Sequence, residues 1–202
     1  MDVVDLGSCR VHLMSVVRGL VSEADAVRAA FLAVKPDAIA LSIGREELEG
    51  LRAHGGESVP PENIEEEVYV HGLSRFGEVR KPPPCFVEAV AVAKEAGIPV
   101  HPLDMDSEQY TTAYLKAVST VDVLRSNVRQ VRLKGWESTA ASAADFVLEW
   151  DALVNGSAGY RELQSERETF LARRLQKLAS RYRVLLGIVE VERARGVLGR
   201  LV

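Results

Sequence analysis

The chain has 202 residues, 47% of them hydrophobic, and a formal net charge of −4. That length suits one domain with a core of its own and excludes a mini-protein that depends on disulfides or metal to fold. The acidic balance, with no basic run carrying interleaved aromatics, argues against a nucleic-acid-binding surface.

Val3 to Leu6 reads as a buried strand closed by Gly7, with Gly7-Ser8-Cys9-Arg10 as the loop at its C-terminal end. Ser22-Glu23-Ala24-Asp25 resembles a capping box with Asp in place of Glu. Val27, Ala30, Phe31 and Val34 then line one face of a helix. Lys35-Pro36-Asp37 breaks that helix before a second buried strand, Ala38 to Ile43. The three elements form a β-α-β unit, which favours parallel strands and a right-handed crossover. Arg45 to Ala53 predicts a short polar helix stopped by Gly55-Gly56, and Pro60-Pro61 starts another over about Glu62 to Arg75. After the stiff Pro82-Pro83-Pro84 run, Phe86, Ala89, Val90 and Ala93 mark a core-facing helix closed by Gly97.

Ile98 to Leu103 is a third strand, ending in Asp104-Met105-Asp106, and Ser107 caps a helix containing Tyr110, Tyr114, Leu115 and Val118. From Thr120 to Asn155 the pattern is helical and broken at Gly135. Val121, Leu124, Val128 and Val131 share one side of the first piece. Phe146, Val147, Trp150, Leu153 and Val154 share one side of the second. This predicts a helical hairpin over about 120–156. A helix using Leu163, Phe170, Leu171, Leu175 and Leu178 leads into a last strand, Val184 to Val191, and a short helix, Ala194 to Leu201. The expected architecture is a single α/β domain over 1–202: a small, mostly parallel central sheet flanked by helices, with the helical hairpin inserted before the final unit.

Cys9 and Cys85 form no CxxC motif and point to a reducing compartment. The acidic start MDVVDLGS is unlike a signal peptide, so a cytoplasmic location is expected. No run approaches about 18 uncharged apolar residues, so no membrane span is expected.

Candidate chemistry clusters after the strands. Asp104 and Asp106 follow a strand, where α/β sheets place ligands, and two such carboxylates suit a hard cation such as Mg²⁺ or Mn²⁺. The competing reading is that Asp104, Asp106 and Ser107 cap the next helix. His12, two residues past the first turn, is either a stand-in metal ligand or a satisfied histidine near the surface. The four histidines share no zinc-site spacing. Glu166 and Arg167 are adjacent on a helix and point about 100° apart. Arg167 suits an anionic group, and an ordinary charged helix face explains it equally. Cys9 is either a stabilised thiolate at a turn or a small buried residue.

These stretches, taken in order, resemble the TraB/PrgY and Tiki superfamily, which shares an α/β core with ChaN-like and erythromycin-esterase-like proteins. Gly7-Ser8-Cys9-Arg10-Val11 lies where that family has its first G-x-x-H. Val34-Lys35-Pro36-Asp37-Ala38-Ile39-Ala40-Leu41 matches its approach to the second strand. Ala96-Gly97-Ile98-Pro99-Val100 with Leu103-Asp104 resembles its third strand. Glu166-Arg167 with Leu171-Ala172-Arg173-Arg174-Leu175 matches its E-R helix, and Leu185-Leu186-Gly187-Ile188-Val189-Glu190 sits at its second G-x-x-H. The resemblance implies a metal-dependent peptidase site built from the two histidines and a glutamate. This chain has Arg10, Glu190 and Ser42 there. A guanidinium cannot ligate a metal and a serine is a poor ligand, so the activity does not carry over.

Three functional readings follow. The first is a non-catalytic relative, a pseudoenzyme, that binds a small molecule or a protein partner through Arg10, Ser42, Asp104, Glu166, Arg167 and Glu190, with Arg10 and Glu190 forming a partly buried ion pair. The second is a metal-dependent, peptidase-like hydrolase rebuilt around Asp104, Asp106 and His12 with Mn²⁺ or Mg²⁺. The third is an oligomeric scaffold, such as a homodimer, in which the hairpin mediates assembly and Trp136, Trp150 and Tyr160 act as anchors.

Overall fold

The structure, a computed structural model, describes residues 1–133 and 135–202, without the side chains of Gln130, Val131 and Arg132. Val131, expected on the apolar side of its helix, therefore lies outside the described side chains. A five-stranded sheet in the order β1-β2-β5-β3-β4 forms the centre. β1 (Asp2–Leu6) is an antiparallel edge strand, and β2 (Cys9–Val16), β5 (Val184–Glu190), β3 (Ala38–Leu41) and β4 (Val100–Pro102) are parallel.

The start of the chain departs from expectation. Gly7-Ser8 is a two-residue hairpin loop joining Leu6 to Cys9 in register, with Gly7 at φ 63°. A positive φ at the first loop residue favours glycine and turns the chain back at once. Cys9 and Arg10, expected in the loop, therefore open a strand that runs to Val16. Cys9, Val11 and Leu13 point to one covered face of the sheet, and Met14 and Val16 point to the other, so the strand is buried on both sides at Leu13 and Met14.

The helices follow the apolar periodicity closely. On one sheet face lie α1 (Ser22–Val34), α2 (Arg45–Ala53) and α4 (Pro84–Ala96), which bury Val27, Leu48, Phe86 and Ala89 against Met14, Ile39, Leu41, Leu186 and Ile188. On the other lie α8 (Ala158–Ala179) and α9 (Val191–Leu198), which pack Leu171, Leu175 and Val197 on Val11, Leu13, Ala40, Leu185 and Val189. β3 is buried along its whole length, as a strand covered on both faces must be. Ser22 opens α1 without capping it: the N-cap position is Val21 and accepts no side-chain bond. Asp106, not Ser107, caps α5 (Ser107–Ala117), in a reciprocal pair with Gln109.

α3 (Ile64–Leu73), α5, α6 (Thr120–Leu133) and α7 (Ala143–Val154) build over the C-terminal end of the strands. α6 and α7, the expected hairpin, both pack on α3 and meet through Leu133 and Trp150. Among the described residues no helix is long and apolar enough to cross a membrane.

α3 and α7 approach closely at Gly72. A Cβ there would lie 2.4 Å from the ring of Phe146, which is fully buried. Gly72→Ala should therefore destabilise the protein by about 1–3 kcal/mol through overpacking, despite the better helix propensity of alanine. Urea unfolding of the two proteins checks this, and an alanine variant of equal or higher stability would contradict the packing described.

Candidate functional site

All four parallel strands end on the same side, which is where open α/β sheets hold ligands. Arg18 lies just beyond β2, Ser42 just beyond β3 and Asp104 just beyond β4, while Glu190 ends β5. Ser42 and Glu190 are only 2% and 4% exposed. The Ser42 hydroxyl donates to the Glu190 carboxylate, and the Glu190 amide approaches Ser42 Oγ at 3.3 Å. Arg18 forms an ion pair with Glu47 on α2 and lies 3.7 Å from Glu190. Burial works against the Arg18 charge, but Glu47 and Glu190 more than offset it, so its pKa is raised. Burial lifts the Glu47 carboxyl above its usual range, against the pull of Arg18.

Beside this group runs a continuous polar chain. Arg167 on α8 donates to Asp104, with Nε 3.1 Å from Oδ2, and also to Gln164 Oε1 at 3.0 Å. Gln164 donates to Asn155 Oδ1 at 3.0 Å, and Asn155 donates to Asp151 Oδ1 at 2.8 Å. Arg193 on α9 closes the chain, 2.8 Å from Asp151 Oδ1. Asp104 also accepts from the Met105 amide at 2.8 Å. The Arg167 guanidinium lies 5.8 Å from the ring centre of Tyr110, a cation–π contact. Burial opposes the Arg167 charge, and Asp104 outweighs it, raising the pKa.

Above these groups is a cleft of about 780 Å³. Its lining includes Arg18, Arg129, Glu192 and Arg193, and also Trp150 with Tyr69, Tyr110, Tyr114 and Tyr160. Four of the five tyrosines of the chain thus face one space, which marks it as built for more than water. Tyr69 donates to the Arg18 carbonyl at 3.0 Å and fixes that corner.

The structure brings together Ser42 with Glu190 and Asp104 with Arg167, and it separates the remaining expected residues. Arg10 sits in β2 level with Val184, at the opposite end of β5 from Glu190 and roughly 20 Å away along the strand. It pairs instead with Asp5 across the hairpin, at 3.0 Å, with both side chains exposed. The expected Arg10–Glu190 pair is therefore absent, and Arg18 occupies the place assigned to Arg10. Glu166 turns away toward Lys116, at 3.8 Å. Arg167 engages an internal carboxylate, that of Asp104.

The rebuilt metal site does not form. His12 lies in the middle of β2, level with Leu186, Asp106 caps α5, and Asp104 is held by Arg167. Among the described residues no three His, Cys, Asp or Glu side chains converge as a metal ion requires, so the residues present do not fit the metal that the resemblance implies. Cys9 and Cys85 are buried free thiols on opposite sheet faces. Burial pushes the Cys85 thiol up to about 12 and raises Cys9 as well, so neither suits a nucleophile. Trp136 and Trp150 pack together 5.5 Å apart inside the helical layer, as core residues.

Reasoning from sequence missed Arg18, Glu47, Glu192 and Arg193. A signal for Arg18 was present: Gly-Ser between two β-rich runs marks a hairpin, which makes Arg18 the residue after the first parallel strand. Set against protein-family models and against curated proteins, the chain matches none of either.

Glu192, at the start of α9, is the most perturbed acid of the site. Burial, with Glu190 nearby, raises its pKa from 4.5 to about 7. Below about pH 4.5 Glu192 is protonated whether folded or unfolded. As pH rises toward 7 the unfolded chain ionises it and the folded chain resists, so stability falls through that window. Glu192→Gln removes this loss. The variant should gain on the wild type by roughly 2–3 kcal/mol between pH 4 and pH 8. Urea melts at both pH values measure it, and a difference independent of pH would show that Glu192 is not held neutral by burial.

Proposed function

We propose that the protein is a non-catalytic relative of the TraB/PrgY and Tiki group, a cytoplasmic pseudoenzyme that binds a small polar molecule in the cleft over its strand ends. The observation that carries this is the mutual engagement of the charged groups: Arg18 with Glu47 and Glu190, Ser42 with Glu190, and Arg167 with Asp104. Groups so occupied hold each other in place beside the cleft, which Arg18 alone of them lines, and such mutual engagement suits a rigid binding site better than proton transfer or metal ligation. The cleft above them has the size and aromatic lining of a small-molecule site. The net charge of −4 disfavours nucleic acid as the ligand.

Thermal-shift measurements with sugars, nucleosides, carboxylic acids, amines and amino acids test this reading. A saturable rise in melting temperature is expected for at least one class, since a ligand bound only to the folded state stabilises it. Val70→Trp, which puts an indole into the cleft from α3, should remove the rise. If no class stabilises the wild type, or the indole leaves the effect intact, the cleft is not the binding site.

A homodimer is a second reading, supported by α6. Val121, Leu124 and Val128, at i, i+3 and i+7, are 54%, 60% and 58% exposed on one side of that helix. They border a groove completed by Leu133, Trp136 and Leu153, and an apolar stripe of this kind is typical of a contact surface. Light scattering across micromolar concentrations should show a dimer that Leu124→Glu converts to a monomer. A wild-type monomer at every concentration excludes this assembly.

A further inference from the structure

The cleft is lined by two groups of opposite charge, each with a buried atom that no described residue satisfies. Most of its other charged lining groups have partners: Arg18 has Glu47, Arg193 has Asp151, and Lys81 has Glu62 and Glu66, while Glu65 has a side chain that is not among the fully shielded ones. Glu192 and Arg129 differ. Glu192 Oε2 and Arg129 Nε are both shielded from solvent and both lack a hydrogen-bond partner. Among the described residues neither belongs to any ion pair, and they form none with each other. Among the described residues, the one side-chain bond of Arg129 runs from its terminal nitrogen to Ser126 Oγ at 2.9 Å. A buried acceptor and a buried donor left open in one cleft are each costly, and each calls for an external partner.

The two groups stand on separate elements, Glu192 in the first turn of α9 and Arg129 in α6. Tyr69 and Trp150, with rings 5.8 Å apart, line the same space and offer aromatic faces. A metal ion would satisfy only the carboxyl and needs more oxygen donors than converge there. A simple anion would satisfy only the guanidinium. A molecule with both charges satisfies both.

We infer that the cleft takes a small zwitterion, with its ammonium group on Glu192, its carboxylate on Arg129, and an apolar or ring-bearing body against the Tyr69 and Trp150 wall. This rests on the ligand-binding reading above and adds the class of ligand. An incoming ammonium also supplies the counter-charge that Glu192 lacks, and so favours its ionised form. The aromatic faces add a cation–π attraction for the same group.

Calorimetric titration with L-phenylalanine, L-leucine and 6-aminohexanoate, which carries its charges further apart, tests the inference on the full chain. At least one of these should bind. For L-phenylalanine, N-acetyl-L-phenylalanine lacks the cation and L-phenylalaninamide lacks the anion. For 6-aminohexanoate, the corresponding probes are 6-acetamidohexanoate and 6-aminohexanamide. Each blocked form should bind at least tenfold more weakly than its parent. Glu192→Gln should weaken the parent and leave the acetylated form unchanged, whereas Arg129→Gln should weaken the parent and leave the amide unchanged. Circular dichroism shows whether both variants are folded. If the blocked forms bind as well as the parents, or none of the three zwitterions binds while a sugar, nucleoside or carboxylic acid does, the zwitterion assignment falls and the cleft remains a ligand site. If no small molecule of any class binds, both readings fall.

Discussion

β5 is the last strand of the chain and the middle strand of the sheet, with β2 bonded to one side of it and β3 to the other. Those pairings join distant parts of the chain, so most of the loop entropy is lost before the contacts form. The sheet is complete only when the C-terminal segment docks. The two strands flanking β5 are brought to their spacing by it, and the helices before and after it cover one face. Gly187 shows how tight the insertion is: a Cβ there would lie 3.2 Å from Leu13 and 3.3 Å from Leu175.

The same insertion creates the site. β5 carries Glu190 to the sheet edge between Ser42 and the turn after β2, and the chain then bends into α9 with Glu192 and Arg193 in its first turn. Burying so many charges is tolerable only because each cation finds a carboxylate and the spare lone pairs find donors. Arginine suits this role better than lysine, since one guanidinium can bond two partners in fixed directions. Arg167 does so, bonding Asp104 and Gln164 at once. Glu192 and Arg129 break the pattern, and this is why they mark where a ligand belongs.

The hairpin at Gly7-Ser8 accounts for the largest difference between expectation and structure. Reading Val3 to Leu6 as the first parallel strand puts Arg10 at the strand's C-terminal end. The hairpin reverses the chain and puts Arg10 at the start of β2 instead. A shift of one strand thus moves a residue from the site to the far side of the molecule. The expected pairing of a strand-end arginine with Glu190 has its counterpart in Arg18, whose guanidinium lies 3.7 Å from that carboxylate.

The α/β class, the mostly parallel sheet and most helix positions were legible in the sequence alone. Apolar spacing, breakers and caps are local signals, and α1, α4, α8, β3 and β5 follow them within a few residues. The sequence also pointed to Ser42, Asp104, Arg167 and Glu190 as strand-end or helix residues worth watching. How they combine emerges only in the folded chain: Ser42 with Glu190, Asp104 with Arg167, and Arg18, Glu47, Glu192 and Arg193 beside them. Strand order and charge pairing join residues far apart in the chain, and a periodicity read along one segment carries no information about which distant segment will lie beside it.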